Sequence, residues 1–456
     1  MTDEQILVAI HGWMARLGDV HTSPAPWQSR DPALLGHYLS YPLNFYSFSD
    51  GIFISSAALE HARVVGQRVV ALGGLAAETV RDRVMLLLSA DNASGRLAQS
   101  EVFMSVGSML AWAGVEGATD HLELTLEDWT GERRVYPLRP LPYKQATGHL
   151  VAGMMGRAGT SVVRMNEGDA SPPPLYLSRP ELPYWCTWMA EGCLVYVCLK
   201  DFSPSVPGDF DRFWKEVLDL VDQHRDGKLV LDVRNNGGGD HFELPLLKGI
   251  LARPWLDSPE KLFVIVGRQT VSAAQHFATV FSMYTRATFV GENSGGRPNH
   301  YGAQRFFNLP HSGLPCRTSV VFHQDQTEWE MADCTRPHFH TPLSSEDYRR
   351  HRDPALERIM TLGAVRDLPE RFVRDLSQAY ERGGLTAVNA SCSRFLKVYG
   401  KTGVDTGLLL NGFSWWLSAH AGNPDAYTSW LKYYVGLCPD RTEFWHALAR
   451  RFDVAG

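Results

Sequence analysis

The 456-residue chain is long enough for two to four domains with a sizeable core. Its net charge of −6 arises from 44 basic and 50 acidic residues of mixed order, which argues against a phosphate-tracking surface and so against nucleic-acid binding. Seven cysteines, an odd count with no Cys-x-x-Cys pair, argue against a disulfide framework or a structural zinc site. Acidic residues near the N-terminus and the lack of a long apolar run predict neither a signal peptide nor a membrane span. Reduced thiols and a cytoplasmic location are the expectation.

Residues 4–17 carry Ile6, Leu7, Ile10, Met14 and Leu17 at helical spacing, with Gly18 as the stop and a loop through Asp19, Val20, His21 and Thr22. Residues 41–145 form a mixed unit. A turn at Asp50-Gly51 opens a strand, a second strand ends at Gly73-Gly74, a helix spans about 76–88, and the alternating run 122–129 is a further strand. Prolines at 172, 173, 174, 180 and 183 mark an extended crossing within a linker, 146–183. From 184 to 360 strands at 194–199, 228–233, 262–266 and 288–290 alternate with helices at 210–224, 243–252 and after Ser272. Such alternation predicts an α/β layer with a mainly parallel sheet. Beyond 361 only helices are expected, at 369–382, 386–399, 406–420, 425–436 and 441–452.

The run from Lys261 to Ala278 reads as a buried strand, a sharp turn, a serine and a helix. Ser272 has its hydroxyl where unpaired N–H groups and the helix dipole converge, so it is a candidate nucleophile beside an oxyanion site. The alternative is a plain N-cap serine. Two glycine-rich loops, 235–239 and 291–297, each follow a strand of this unit, and neither ends in the Gly-Lys-Ser/Thr of a phosphate loop. They suit an oxyanion hole in which Ala273 gives one N–H and Gly238 or Gly239 the other.

The segment Leu231-Asp-Val-Arg-Asn-Asn-Gly-Gly-Gly239 resembles the "D-x-R-x-N-x-G-G" strand-turn of the tail-specific, or C-terminal processing, serine proteases. Residues 270–274 and 291–296 resemble that family's nucleophile segment and its next glycine loop. Residues 17–22 resemble the "L-G-D-G-H-T" motif of the branch containing tricorn-core-like and retinoid-binding-protein-like members, and residues 64–92 resemble the family's PDZ-like module. The likeness runs over about 5–360. It implies a ClpP/crotonase-like βαβ core, a PDZ-like α+β module and serine peptidase activity without metal or organic cofactor. To these the chain adds an all-helical C-terminal region.

One departure matters. The bacterial members use a serine–lysine dyad, and the corresponding position, 25 residues beyond Ser272, is Arg297. Arginine stays protonated and cannot serve as a base. The resemblance to the tricorn-like branch makes His21 the base and puts the orienting acid near 328–337, where Glu330 and Asp333 both qualify. Asp19 lies close to His21 in sequence, and a turn is the expected role for it. His276, four residues beyond Ser272, and His300 are rival histidines that could instead orient substrate. Arg297 could bind a substrate carboxylate or pair with Glu292.

These readings divide the chain into 1–40, carrying the His21 motif; 41–145, PDZ-like; 146–183, a linker; 184–360, the catalytic core; and 361–456, helical. The leading function is a serine peptidase acting on a peptide or small acyl substrate, with cleavage near a substrate C-terminus as one option and no nucleic-acid or membrane partner. The alternatives are a ligand carrier, with an apolar pocket around Phe277, Phe281, Phe306 and Phe307, and a specialised small-molecule acyl hydrolase or cyclase. The C-terminal helices are a candidate surface for protein contacts or oligomerisation.

Overall fold

The structure, a computed structural model, describes residues 3–28, 39–142, 162–167, 171–203, 208–328, 330–362, 368–399, 406–420, 422–439 and 442–453. Residues 146–161 and 168–170 of the expected linker, and 143–145 before it, lie outside the described residues.

The central sheet has six strands. Tyr184–Met189 pairs antiparallel with Leu194–Leu199, and Lys228–Asp232, Leu262–Val266, Thr288–Gly291 and Phe339–His340 follow in parallel. The runs Leu194–Leu199 and Leu262–Val266 are buried at every position. A parallel strand covered on both faces needs such an unbroken apolar run. The helices Asp209–Gln223, Glu243–Leu251 and Ala273–Tyr284 are the crossovers. The first carries Asp209 and Asp211 in its opening turn, where acidic groups favour the helix dipole. It buries Phe210, Phe213, Trp214, Val217 and Val221 along one face. All three helices contribute to one core with the sheet.

A second sheet is antiparallel, in the order Val162–Arg164, Gly51–Ala58, Arg68–Leu72, Leu122–Glu127, Arg133–Leu138, with Leu43–Phe48 also paired to Gly51–Ala58. The helices Ala77–Met85, Ala93–Phe103 and Gly107–Trp112 lie between its strands in sequence, and sheet and helices share a core of their own. The last four helices, Leu368–Tyr399, Thr406–His420, Pro424–Leu437 and Thr442–Asp453, form a third core. The first of these is broken at Gly383 and Gly384, as the glycine pair predicts, with Gly384 at φ 60°.

The sequence reading missed a long hairpin, Asn299–Asn308 with Pro315–Gln324. Its second strand pairs with Ser23–Pro24 in the register Ser23↔Arg317. That short pairing carries the N-terminal loop across the molecule to the carboxyl ends of the parallel strands. Among the described residues, no helix is long and apolar enough to cross a membrane.

Candidate active site

The parallel register aligns Asp232 with Ile265, and Val266 with Gly291. The loops leaving these three strand ends therefore lie side by side, at the edge where open α/β sheets bind ligands. They are tightly laced. Thr270 Oγ1 donates to Val233 O at 2.8 Å, and Thr270 O accepts from the N–H groups of Gly295 and Gly296. The buried Asn236 donates to Leu199 O at 3.1 Å, and its Oδ1 accepts from Gly238 N at 2.8 Å. Arg234 is anchored by Asp232 and doubly by Asp353, at 2.8 and 2.9 Å.

Ser272 stands at the head of the helix Ala273–Tyr284 with φ 54° and ψ −130°, and its hydroxyl makes no capping hydrogen bond. A non-glycine residue in that region costs roughly 1–3 kcal/mol of strain, which the laced loops must hold. The geometry disfavours the plain N-cap alternative, because the hydroxyl makes no hydrogen bond to its own helix. Gly238 explains the space beside it. A Cβ there would come within 2.7 Å of Ser272 Cβ and 3.1 Å of its Oγ.

His21 Nε2 lies 3.2 Å from Ser272 Oγ, although the two residues are 251 apart in sequence. On the other side of the ring, Nδ1 is 3.7 Å from Asp19 Oδ1. That separation is longer than a hydrogen bond, and Nδ1 has no hydrogen-bond partner among the described residues. The same Asp19 oxygen accepts from His21 N at 2.9 Å, while its second oxygen accepts from Thr22 Oγ1 and Ser319 Oγ, both at 2.5 Å. Burial opposes the charge on Asp19, but the His21 contact, the two hydroxyls and the His21 N–H outweigh it and hold its carboxyl at about 2. Asp91 ties this loop to the next, accepting from Val20 N at 2.9 Å and Arg297 N at 3.3 Å.

The structure does not bring Glu330 or Asp333 to His21. Glu330 Oε1 accepts from Ala332 N at 2.8 Å, and Asp333 Oδ1 from Arg336 at 3.1 Å. Their segment instead braces the glycine loop from behind, where Asn92 Nδ2 binds Asp333 O at 2.7 Å together with Ser294 O. Asp19 occupies the position beside the imidazole. It was readable from the sequence only as a neighbour of His21 in the same motif. Asp91 and Ser319 gave no sequence signal at all.

Of the three N–H groups expected at an oxyanion site, that of Gly238 already serves Asn236. Those of Ala273 and Gly239 make no hydrogen bond among the described residues. Arg297 is exposed and does not pair with Glu292, whose carboxylate binds Arg268 at 3.2 Å. His276 lies between Asp325, 2.7 Å from Nδ1, and Glu243, 3.1 Å from Nε2. Burial opposes its charge, but the two carboxylates raise it to about 9. His300 is buried and stacks on His21 with ring centroids 6.5 Å apart, and burial lowers it to about 4. The four phenylalanines expected around an apolar pocket do not meet. Phe277 and Phe281 are fully buried in the sheet core, whereas Phe306 and Phe307 are exposed on the hairpin.

No family model matches the sequence, and no curated protein does. Among solved structures, the chain is similar to a CPAF point mutant at 13% identity, covering 79% of this chain and 88% of that one with a TM-score of 0.55. Mature CPAF matches at 13% identity over 78% of this chain and 86% of that one, with a TM-score of 0.51. The photosystem II D1 C-terminal processing protease is a further match at 16% identity, over 79% and 86%, with a TM-score of 0.32. At these identities the likeness is one of fold, and over most of its length this chain is similar in fold to CPAF.

Proposed function

We propose that the chain is a serine peptidase working through Ser272, His21 and Asp19. The observation that carries this is the 3.2 Å approach of His21 Nε2 to the strained Ser272 hydroxyl. Ser272 Oγ attacks the substrate carbonyl and His21 Nε2 takes its proton. The oxyanion is held by the N–H groups of Ala273 and Gly239. The imidazolium then protonates the leaving amine, which departs and leaves an acyl-enzyme. A water molecule, deprotonated by His21, releases the acid and restores the serine. Asp19 orients the ring and offsets its transient charge. Asp19 replaces Glu330 and Asp333 as the acid in this reading.

The central sheet serves as the crotonase-like catalytic core. The antiparallel unit 41–145 serves as a PDZ-like module that receives a peptide chain end by adding a strand. The exposed Arg297 guanidinium binds the substrate's terminal carboxylate bidentately. A peptide substrate follows from these roles.

A fluorophosphonate probe followed by peptide mapping tests the proposal. Labelling at Ser272 is expected, with its rate reduced by at least about 1000-fold in His21→Ala. A folded protein that takes no label, or takes it equally without His21, would overturn the reading.

A further inference from the structure

We infer that His241, Glu243 and His276 form a binding site for a divalent cation of zinc type, adjacent to Ser272 and separate from its catalytic groups. One ligand atom from each of the three residues lies within 4.8 Å of the others. Glu243 Oε1 and His276 Nε2 are already 3.1 Å apart. A tetrahedral zinc ion with bonds of about 2.0–2.1 Å places its ligand atoms roughly 3.3 Å apart, so this pair needs almost no movement. The His241 ring stands edge-on to His276, with centroids 4.1 Å apart. His241 is exposed, so its side chain can turn to bring a nitrogen inward.

Asp325 supplies the second, independent observation. Its Oδ2 lies 2.7 Å from His276 Nδ1. A carboxylate on the far nitrogen of a metal-binding histidine fixes the ring and its tautomer, leaving Nε2 as the ligand atom. A simple salt bridge explains Glu243, His276 and Asp325, but it has no use for a second imidazole against the first. A cation has, because two imidazole nitrogens and one carboxylate oxygen make a three-ligand set with an open fourth position toward solvent. Position gives the site a consequence. His276 lies one turn beyond Ser272, while His241 and Glu243 follow the loop carrying Gly238 and Gly239. A bound ion would pin that loop to the nucleophile helix.

The test uses the full chain, stripped by a chelator and titrated with zinc against a chromophoric competitor, with cobalt substitution as a spectroscopic check. Peptidase activity is not the readout, so failure of the peptidase proposal leaves the result unaffected. One zinc per chain is expected, bound on the order of 100-fold more weakly in His241→Ala and about 10- to 100-fold more weakly in Asp325→Asn. Circular dichroism confirms that each variant is folded, which the exposure of His241 favours. Zinc bound equally well by His241→Ala and Glu243→Gln, or not bound by the folded wild-type chain, overturns the inference.

Discussion

At Ser272 a positive φ and an uncapped hydroxyl occur together, and both follow from what surrounds it. Gly238 leaves room for the side chain, and Asn236 holds that glycine in place. Asp19 matters in the same way for His21. Its carboxyl sits at about 2, so it is ionised at neutral pH and able to offset an imidazolium. Asp19→Asn is therefore expected to lower the labelling rate of Ser272, and kcat on any substrate, by on the order of 100- to 10,000-fold. Glu330→Gln and Asp333→Asn should stay within about twofold, since neither carboxylate contacts His21. Stopped-flow labelling of the three variants decides between them, and equal losses in all three would reject Asp19 as the acid.

Among the elements, the N-terminal helix Asp3–Ala15 has a double role. It packs Leu7, Val8 and Met14 into a cluster with Leu314 and Cys316, next to the pairing that delivers His21. Within it His11 is buried, its Nε2 has no hydrogen-bond partner, and burial lowers it to about 4. Unfolding returns this histidine to its ordinary value near 6.5, where the unfolded chain binds the proton more readily. The contribution of the neutral ring is thus fully present above about 6.5 and is lost as the pH falls toward 4. The shift corresponds to roughly 3 kcal/mol. Denaturant titrations at several pH values should show this loss in the wild-type chain and a flatter profile in His11→Leu. An unchanged profile in the variant would assign the acid sensitivity elsewhere, with the buried His300 as the next group to replace.

Across the whole molecule, the antiparallel unit and the parallel sheet are joined by a buried charge cluster. Arg268, 6% exposed, binds Glu101 at 2.8 Å, Ser47 O at 3.0 Å and Glu292 at 3.2 Å. It follows the strand Leu262–Val266 and precedes Ser272, so the joint and Ser272 share one connection. Burial outweighs the pull of Arg268 and raises the Glu101 carboxyl to about 8, so removing the guanidinium strips buried acceptors of their donor, which typically costs about 1–3 kcal/mol. Arg268→Met is expected to lower the unfolding free energy by that order in chemical denaturation. A change below about 1 kcal/mol would show that the two units are held together by other contacts. The C-terminal helices enclose an apolar core of their own.

The sequence by itself determined the central strands, the crossover helices and the helical C-terminal region. Those features rest on local periodicity and on glycine breaks such as Gly383-Gly384, which act within a few residues. It also marked Ser272 and the glycine loops as candidates, because a nucleophile turn needs particular residue types at short spacing, and the resemblance of residues 17–22 to a family motif added His21. It did not reveal the hairpin Asn299–Asn308 with Pro315–Gln324, whose exposed aromatic residues do not alternate with polar ones as a half-buried strand should. For the acid it pointed to Glu330 or Asp333 and gave Asp19 a turn role, and it did not show that the Gly238 N–H is already engaged. Only the tertiary structure shows which carboxylate stands beside His21 and which N–H groups are engaged. His21 meets Ser272 through the pairing of Ser23–Pro24 with a distant strand, and such long-range pairing leaves no periodic trace in the chain.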